Sequence, residues 1–283
     1  MRILAATDFS TRSQRALRRA GLLARDAGAH LSLVHVVDDD QPAGLIELET
    51  REAERYLREH IDSTAELREV QCDPIVVSGD AFDGILRTAQ ACSAEIIVMG
   101  AHRKHLLRDI LIGTTIERVI RTGPYPVLMV NGEVTHAYAR AIAAVDESEA
   151  STHAIKVAKG LGLIDRLNLS LVHGVLAFTR GTMAAGMKKS QIDDYMASER
   201  SRASAELLAF LNATGIDVDK WPLRVTEGGP LDAMTDAIRE TQADLLIIGT
   251  SARSGIAKIL LGSVTEEALR SIDVDILVVP PPR

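Results

Sequence analysis

The sequence predicts an α/β protein built from two tandem doubly wound sheets of five parallel strands each, and three observations support this. The chain has 283 residues, 46% of them hydrophobic and 25% charged, which is enough for two globular cores of about 140 residues each. The second half of the chain repeats the first. Short apolar runs alternate with helix-patterned stretches, which is typical of parallel strands covered by helices on both faces.

An internal duplication divides the chain into residues 1–133 and residues 138–283. The segment ILAATDFS at 3–10 matches AIAAVDES at an offset of 138, and the matches near the end of each half have an offset of 149. An insertion of 11 residues between Val175 and Glu227, the difference between the two offsets, explains the change. The duplication predicts two copies of one structural unit with a short polar connection between them.

Each half predicts the same order of strands and helices. The expected strands are Ile3–Thr7, Leu31–Val37, Ile75–Ser78, Ile96–Gly100 and Val127–Val130, then Ala141–Val145, Leu169–Val175, Leu223–Glu227, Leu245–Gly249 and Ile276–Val279. The expected helices are 13–28, about 44–69, 81–92 and 115–122, then 151–162, about 188–213, 230–242 and 264–271. Ligands of such sheets bind beyond the carboxyl ends of the strands, which is where Asp8 and Asp146 lie.

Two loops of equal length follow the fourth strand of each half, GAHRKHLLRDILIGT at 100–114 and GTSARSGIAKILLGS at 249–263. The first glycine is expected to let a ligand approach the backbone closely. Thr114 and Ser263 each have glutamate three residues later, so they are predicted N-caps of the next helix, which is a purely structural explanation. A helix N-terminus also offers N–H donors and a positive dipole to an anion. Recurrence of both glycines favours phosphate binding.

On these loops, and on the aspartate after the first strand of each half, the sequence resembles the universal stress protein family in its tandem form over nearly the whole chain. The resemblance implies Rossmann-like sheets with the strand order 3-2-1-4-5. It also implies ATP binding, with adenine and ribose near strands one and two and phosphates in a loop of the pattern G-x2-G-x9-G-[ST]. Both halves depart from this pattern at the second glycine, which is Arg103 in the first half and Ala252 in the second.

The resemblance implies one nucleotide site in each half. Asp8 or Asp146 would accept a hydrogen bond from ribose or adenine, and Val36 or Gly174 would offer its backbone to adenine. Small residues in the second loop favour the second half, whereas the basic cluster 102–105 of the first loop is either a solvated loop or a phosphate contact. The expected residues of the second half are Ala144, Val145, Asp146, Gly174, Ile248, Gly249, Ser251, Ala252, Gly262, Ser263, Val264 and Thr265. Those of the first half are Thr7, Asp8, Val36, Met99, Gly100, His102, Arg103, Gly113, Thr114 and Thr115.

Composition argues against several other functions. The net charge of −7 disfavours a nucleic-acid surface, and 3% aromatic residues disfavour a base-stacking platform. Neither a signal peptide nor a membrane span is expected, and two unpaired cysteines fit a cytoplasmic location. No metal site or catalytic residue is expected. His35 and His173, inside the second strands, are interpreted as core or sheet-end residues rather than ligands.

Two classes of function fit these observations. The first is a stress-response or regulatory protein that binds ATP, with or without Mg²⁺, and catalyses little or no turnover. The second is an interaction scaffold of the same fold without nucleotide binding, as the two altered glycines would allow. An enzyme for adenylated substrates ranks third, since it lacks a named catalytic residue. The resemblance further implies that the last strands, 126–130 and 275–282, pair inside one chain as a pseudo-dimer, with a homodimer of chains as a further option.

Overall fold

The computed structural model describes residues 1–101, 114–175, 189–250 and 261–282, and it confirms the predicted fold class. The elements of the first repeat are β1 (Arg2–Ala6), α1 (Thr11–Ala27), β2 (His30–Val37), α2 (Ala43–Ser63), a short 3-10 helix (Ala65–Leu67), β3 (Cys72–Ser78), α3 (Ala81–Ala91), β4 (Ile96–Gly100), α4 (Thr115–Thr122) and β5 (Val127–Val130). Those of the second are β6 (Arg140–Ala144), α5 (Glu149–Gly160), β7 (Asn168–Val175), α6 (Lys189–Ala213), β8 (Leu223–Glu227), α7 (Pro230–Thr241), β9 (Leu245–Gly249), α8 (Ser263–Ser271) and β10 (Asp275–Val279).

The largest difference from the predicted boundaries lies between α2 and β3. The helix expected to reach residue 69 ends at Ser63, because Thr64 takes an extended backbone with φ −86° and ψ 117°. Strand β3 begins three residues earlier than expected, at Cys72, and includes Pro74. A proline is tolerated there because β3 is the edge strand of its sheet, where the missing N–H removes no ladder hydrogen bond.

The chain forms two compact units. Among the described residues, the first contains Met1–Ala137 and Asp273–Pro280, and the second contains Tyr138–Gly249 and Gly262–Ile272. The sheet of the first unit has the order β3-β2-β1-β4-β5-β10. Its first five strands are parallel, in the order 3-2-1-4-5 that the resemblance implied. Strand β10 pairs with β5 in the antiparallel direction, with Leu277 opposite Leu128.

The sheet of the second unit repeats this arrangement in its strands β9-β6-β7-β8, which are all parallel. Ile142 of β6 pairs with Ser170 of β7 and Leu246 of β9. Leu4 of β1 pairs with the equivalent residues of β2 and β4. The two repeats therefore share register as well as strand order.

Apolar burial on both sides of the sheet holds each unit together. Leu4, Ile97 and Leu128 in the first unit and Ile142 and Leu246 in the second are fully buried. Because the strands are parallel, their carboxyl ends meet at one edge, where the first turns of α1, α3 and α4 also begin. None of the helices in the described ranges is both long and apolar enough to cross a membrane.

A buried ion pair ties the last strand to the first helix. Arg19 Nε lies 3.1 Å from Asp275 Oδ2, and both side chains are at most 5% exposed. The other oxygen of Asp275 accepts hydrogen bonds from the backbone N–H groups of Asn131 and Gly132, at 2.9 and 3.0 Å. Arg19 Nη1 also donates to the carbonyl of His136 at 2.8 Å. The segment after β5 is thereby held between α1 and β10.

Candidate functional site

A pocket lies at the carboxyl edge of the sheet of the first unit, where doubly wound folds bind their ligands. It is surrounded by the ends of β1, β2 and β4 and by the first turns of α1, α3 and α4. Its cavity volume is about 160 Å³, which is less than the roughly 300–1,000 Å³ of a site that encloses a small molecule. The described residues therefore form part of the wall of an open site. The lining residues are Ala6, Thr7, Asp8, Ser10, Arg12, Ser13, Val34, His35, Val36, Ala81, Ile85, Met99, Gly100, Ala101, Thr114, Thr115 and Ile116.

The structure brings together in this pocket every described residue that the sequence suggested for the first half. These residues are Thr7, Asp8, Val36, Met99, Gly100, Thr114 and Thr115. The other three, His102, Arg103 and Gly113, lie outside the described residues. Parallel strand order explains the convergence, because it places the end of β1 between the ends of β2 and β4.

Asp8 is fixed by the turn that leads from β1 into α1. Its Oδ1 accepts a hydrogen bond from the N–H of Ser10 at 3.0 Å, and the Ser10 side chain in turn caps α1. The buried hydroxyls of Thr7 and Ser13 lie 3.0 Å apart beneath this turn. Burial alone would raise the pKa of Asp8, but hydrogen bonds from Ser10 and Ser13 lower that pKa below its ordinary value. Asp8 is therefore charged at neutral pH and can accept hydrogen bonds from hydroxyl groups of a ligand.

The start of α4 forms another wall. Thr114 is the N-cap of α4, as the sequence predicted, and its Oγ1 accepts a hydrogen bond from the N–H of Glu117 at 3.3 Å. Thr115, the first residue of the helix, is exposed. Arg118 pairs with Asp80, the N-cap of α3, at 3.0 Å, so the starts of α3 and α4 are held together. The N–H groups in the first turn of a helix have no helical acceptor, so this wall can donate to an anion.

The corresponding helix of the second repeat begins differently from the prediction. The N-cap of α8 is Gly262, with φ −64° and ψ 151°, and Ser263 is the first helical residue. No side chain makes a capping hydrogen bond there. The predicted N-cap at Ser263 is therefore wrong, because Gly262 already takes the extended backbone that a cap requires.

The glycine that ends the fourth strand makes room for the first helix of its own repeat. A Cβ added to Gly100 would lie 2.7 Å from the carbonyl carbon of Arg12 and 2.9 Å from the amide nitrogen of Ser13. A Cβ added to Gly249 would lie 2.7 Å from the carbonyl carbon of Ala150. Packing therefore gives an independent reason for glycine here, since the backbone of α1 or α5 fills the space of a side chain. The close approach of a ligand to this glycine stays a prediction.

The described members of the set suggested for the second half lie at positions equivalent to those in the first. Ala144 ends β6, Val145 and Asp146 follow it, Gly174 lies in β7, Ile248 and Gly249 end β9, and Gly262, Ser263, Val264 and Thr265 begin α8. Ser251 and Ala252 lie outside the described residues. Asp146 accepts a hydrogen bond from the N–H of Ser148 at 3.2 Å, so the turn around Asp8 is repeated here.

The repeats differ beside the second strand. A Cβ added to Gly174 would lie 2.9 Å from the carbonyl oxygen of Gly229 and 3.0 Å from that of Gly228. In the first repeat the side chain of Val36 fills the corresponding space, and its methyl groups lie 2.8 Å from where Gly84 would carry a Cβ. In the second repeat, backbone atoms of the loop that leads into α7 therefore lie directly against β7. In the first repeat, the side chain of Val36 lies between β2 and α3.

His35 and His173 make the same contact in the two repeats. Their Nδ1 atoms lie 2.9 Å and 2.8 Å from the carbonyl oxygens of Thr7 and Val145. Because a carbonyl oxygen only accepts, Nδ1 carries the proton in each case. Recurrence of this hydrogen bond at the sheet end supports the structural interpretation of both histidines. His35 also packs against Phe9, with ring centroids 4.4 Å apart.

Sequence reasoning missed several residues of the pocket. Ser10, Arg12 and Ser13 begin α1, and the serine at the helix start was a readable N-cap signal. Ala81 and Ile85 enter the pocket from α3, and no sequence signal marked them. Their position depends on the sheet face that α3 covers, which only the fold determines.

Two parallel-sheet repeats with a pocket at a carboxyl edge define a tandem Rossmann-like α/β protein. The family model described as "Universal stress protein family" matches residues 1–131 and 137–280, and the chain belongs to this family. It is similar to the "Universal stress protein E homolog" of Haemophilus influenzae, with 25% identity over 245 residues that cover 84% of this chain and 77% of that protein.

A solved structure shares the fold over the whole chain. A universal stress protein from Archaeoglobus fulgidus superposes with a TM-score of 0.65 and 18% identity, covering 99% of this chain and 98% of that one. A universal stress protein in complex with cAMP matches 46% of this chain and 96% of its own, with 23% identity and a TM-score of 0.39.

Proposed function

We propose that this chain is a nucleotide-binding stress-response or regulatory protein, and that the pocket of the first repeat binds an adenine nucleotide such as ATP. The observation that carries the proposal is one cavity that joins Asp8 after β1, Val36 on β2 and the start of α4 at Thr114 and Thr115. The resemblance assigns ribose, adenine and phosphate to these three places. We assign little or no catalysis to the site.

The chemistry of the pocket supports this assignment part by part. Asp8 is a charged acceptor for sugar hydroxyls, since hydrogen bonds lower its pKa. The side chains of Val36 and Met99 supply apolar surface for a planar ring. The N-terminus of α4 offers N–H groups and hydroxyls to phosphate oxygens. If Mg²⁺ accompanies the phosphates, Asp8 is the carboxylate of the described lining that could contact it.

The two repeats differ in how well they fit a base. The small residues of the second glycine loop favour the second repeat, and this remains a prediction because the middle of that loop lies outside the described residues. The described geometry favours the first repeat. Ala81 lines its pocket, and the repeat offset places the larger Pro230 at this position in the second. Backbone also crowds Gly174. We therefore propose the first repeat as the principal site.

The pairing of β5 with β10 supports a second part of the proposal. These strands are the last strands of the two repeats, and their antiparallel pairing covers an edge that would otherwise be open to association. We propose that the repeats form a pseudo-dimer within one chain. A homodimer of chains and a cytoplasmic location remain predictions from the sequence.

A matched pair of charge substitutions tests the nucleotide site. Thr115 and Ser263 are both exposed and each is the first residue of its helix. Glutamate in the first turn favours a helix through its dipole, so Thr115→Glu and Ser263→Glu should both fold. In calorimetric titration with ATP, Thr115→Glu should weaken binding by about 10-fold or more through repulsion of the phosphates. Ser263→Glu should leave the affinity within about twofold of the wild type.

Other outcomes have definite meanings. Loss of ATP binding in Ser263→Glu alone would move the site to the second repeat. Absence of ATP binding by the wild-type protein up to millimolar concentration, together with no nucleotide that co-purifies by mass spectrometry, would reject the proposal in favour of the interaction scaffold. ATP turnover above background that persists through purification would reject the assignment of little or no catalysis.

A further inference from the structure

Helix α1 carries five arginines, and one of them differs from the others in its surroundings. Four are paired with carboxylates, namely Arg15 with Glu133, Arg18 with Glu66, Arg19 with Asp275 and Arg25 with Asp26. Arg12, the first of the five, has no side-chain hydrogen bond or ion pair with any residue in the described parts of the chain. It is also the one that lines the pocket.

Among the described residues, no carboxylate compensates the charge of Arg12. The residue is half-buried, and its neighbours in the lining include the hydroxyl residues Ser10, Ser13 and Thr114. Asp8 is the one carboxylate among the described lining residues, and it accepts a hydrogen bond from Ser10 instead of pairing with Arg12. A guanidinium that loses water without gaining an anion is costly, so an anionic ligand would restore the missing interaction.

The charge of Arg12 is not needed for the local fold. The repeat offset places Ala150 at this position in the second repeat. The helix start is nevertheless the same in both repeats, since the N–H of Ser13 donates to Ser10 Oγ at 3.3 Å and that of Ser151 donates to Ser148 Oγ at 3.3 Å. The turn does not require this side chain, and no carboxylate of the described ranges pairs with it, so it is available to a ligand.

We propose that Arg12 binds a phosphate group of the ligand and makes the first-repeat pocket select phosphorylated adenine compounds over the neutral nucleoside. The planar fork of a guanidinium matches two phosphate oxygens at once, which a lysine cannot do. This inference rests on the proposed function of the same pocket and adds the residue that recognises charge.

The test compares ATP with adenosine as ligands of three variants, each measured by calorimetric titration of the full chain. Arg12→Gln removes the charge, Arg12→Lys retains it, and Arg68→Gln removes an exposed arginine that lies outside the pocket. Arg12→Gln should weaken ATP binding by about 10- to 100-fold, the value of a charge-assisted hydrogen bond, and leave adenosine binding within about twofold. Arg12→Lys should retain part of the ATP affinity, and Arg68→Gln all of it.

The outcomes separate this inference from the proposed function. Equal ATP affinities of wild type and Arg12→Gln would overturn the role of Arg12 while leaving the nucleotide site in place. Equal weakening of ATP and adenosine would also overturn it, because Arg12 would then shape the pocket rather than read charge. A wild-type protein that binds neither ligand would reject the proposed function and this inference with it. Circular dichroism of each variant checks that the fold is retained.

Discussion

Substitution of Gly100 by alanine tests why the glycine loops begin with glycine. The added methyl carbon would lie 2.7 Å from the carbonyl carbon and oxygen of Arg12, whereas carbon atoms in contact are normally about 3.5–4.0 Å apart. Helix α1 and β4 would have to separate by about 0.8 Å or more. Overpacking of this kind costs about 1–3 kcal/mol, and we expect the upper end because the obstructing atoms are backbone. The melting temperature should fall by about 2–4 °C per kcal/mol.

Urea denaturation followed by circular dichroism measures this loss. Gly262→Ala is the matched control, because Gly262 belongs to the other loop and, among the residues that the structure describes, no atom outside its chain neighbours lies within 4 Å of its added Cβ. Alanine at this N-cap should cost no more than about 1 kcal/mol. If Gly100→Ala unfolded at the same urea concentration as the wild type, or as Gly262→Ala, the packing explanation of the first glycine would be refuted.

Three further predictions follow from single contacts. Asp275→Ala removes the carboxylate that lies beside the buried guanidinium of Arg19, so the free energy of unfolding in urea should fall by about 3–5 kcal/mol, and an unchanged midpoint would contradict this. Thr114→Ala removes the cap of α4 and should cost about 1 kcal/mol, whereas Ser263→Ala should cost clearly less, and equal losses would show that both residues cap. Burial and a neighbouring carboxylate raise the pKa of Cys72 to about 12, so about one thiol in 10,000 is ionised at pH 8. Iodoacetamide should therefore label Cys72 slowly in the native protein and faster at higher pH. Rapid labelling of native Cys72 at pH 8 would contradict its raised pKa.

Much of the fold could be predicted because the apolar runs of the strands are local signals. Strands β4, β5, β8 and β9 have the predicted boundaries, and β2 differs by one residue. The carboxyl-edge position of Asp8 and Thr114 followed from the alternation of strands and helices, which places all these ends at one edge. The strand order itself came from the family resemblance, since no local pattern encodes which strands are neighbours.

The parts that could not be predicted depend on contacts between residues far apart in sequence. The carbonyl of Arg12 occupies the space beside Gly100, and the loop at Gly229 crowds Gly174. A lone sequence shows each glycine but not the atoms opposite it. For the same reason, the sequence did not single out Arg12 among the arginines of α1. Arg12 differs from the other four arginines in lacking a carboxylate partner among the described residues, and this difference appears only once the ion pairs of the fold are known.

A crystal structure of the full chain grown with ATP would decide whether the first repeat holds the nucleotide. We expect density for the nucleotide in the first repeat, with its ribose within hydrogen-bond distance of Asp8 and its phosphates beside Arg12 and the start of α4 at Thr115. Nucleotide density in the second repeat alone, with the first-repeat pocket holding only water, would contradict it.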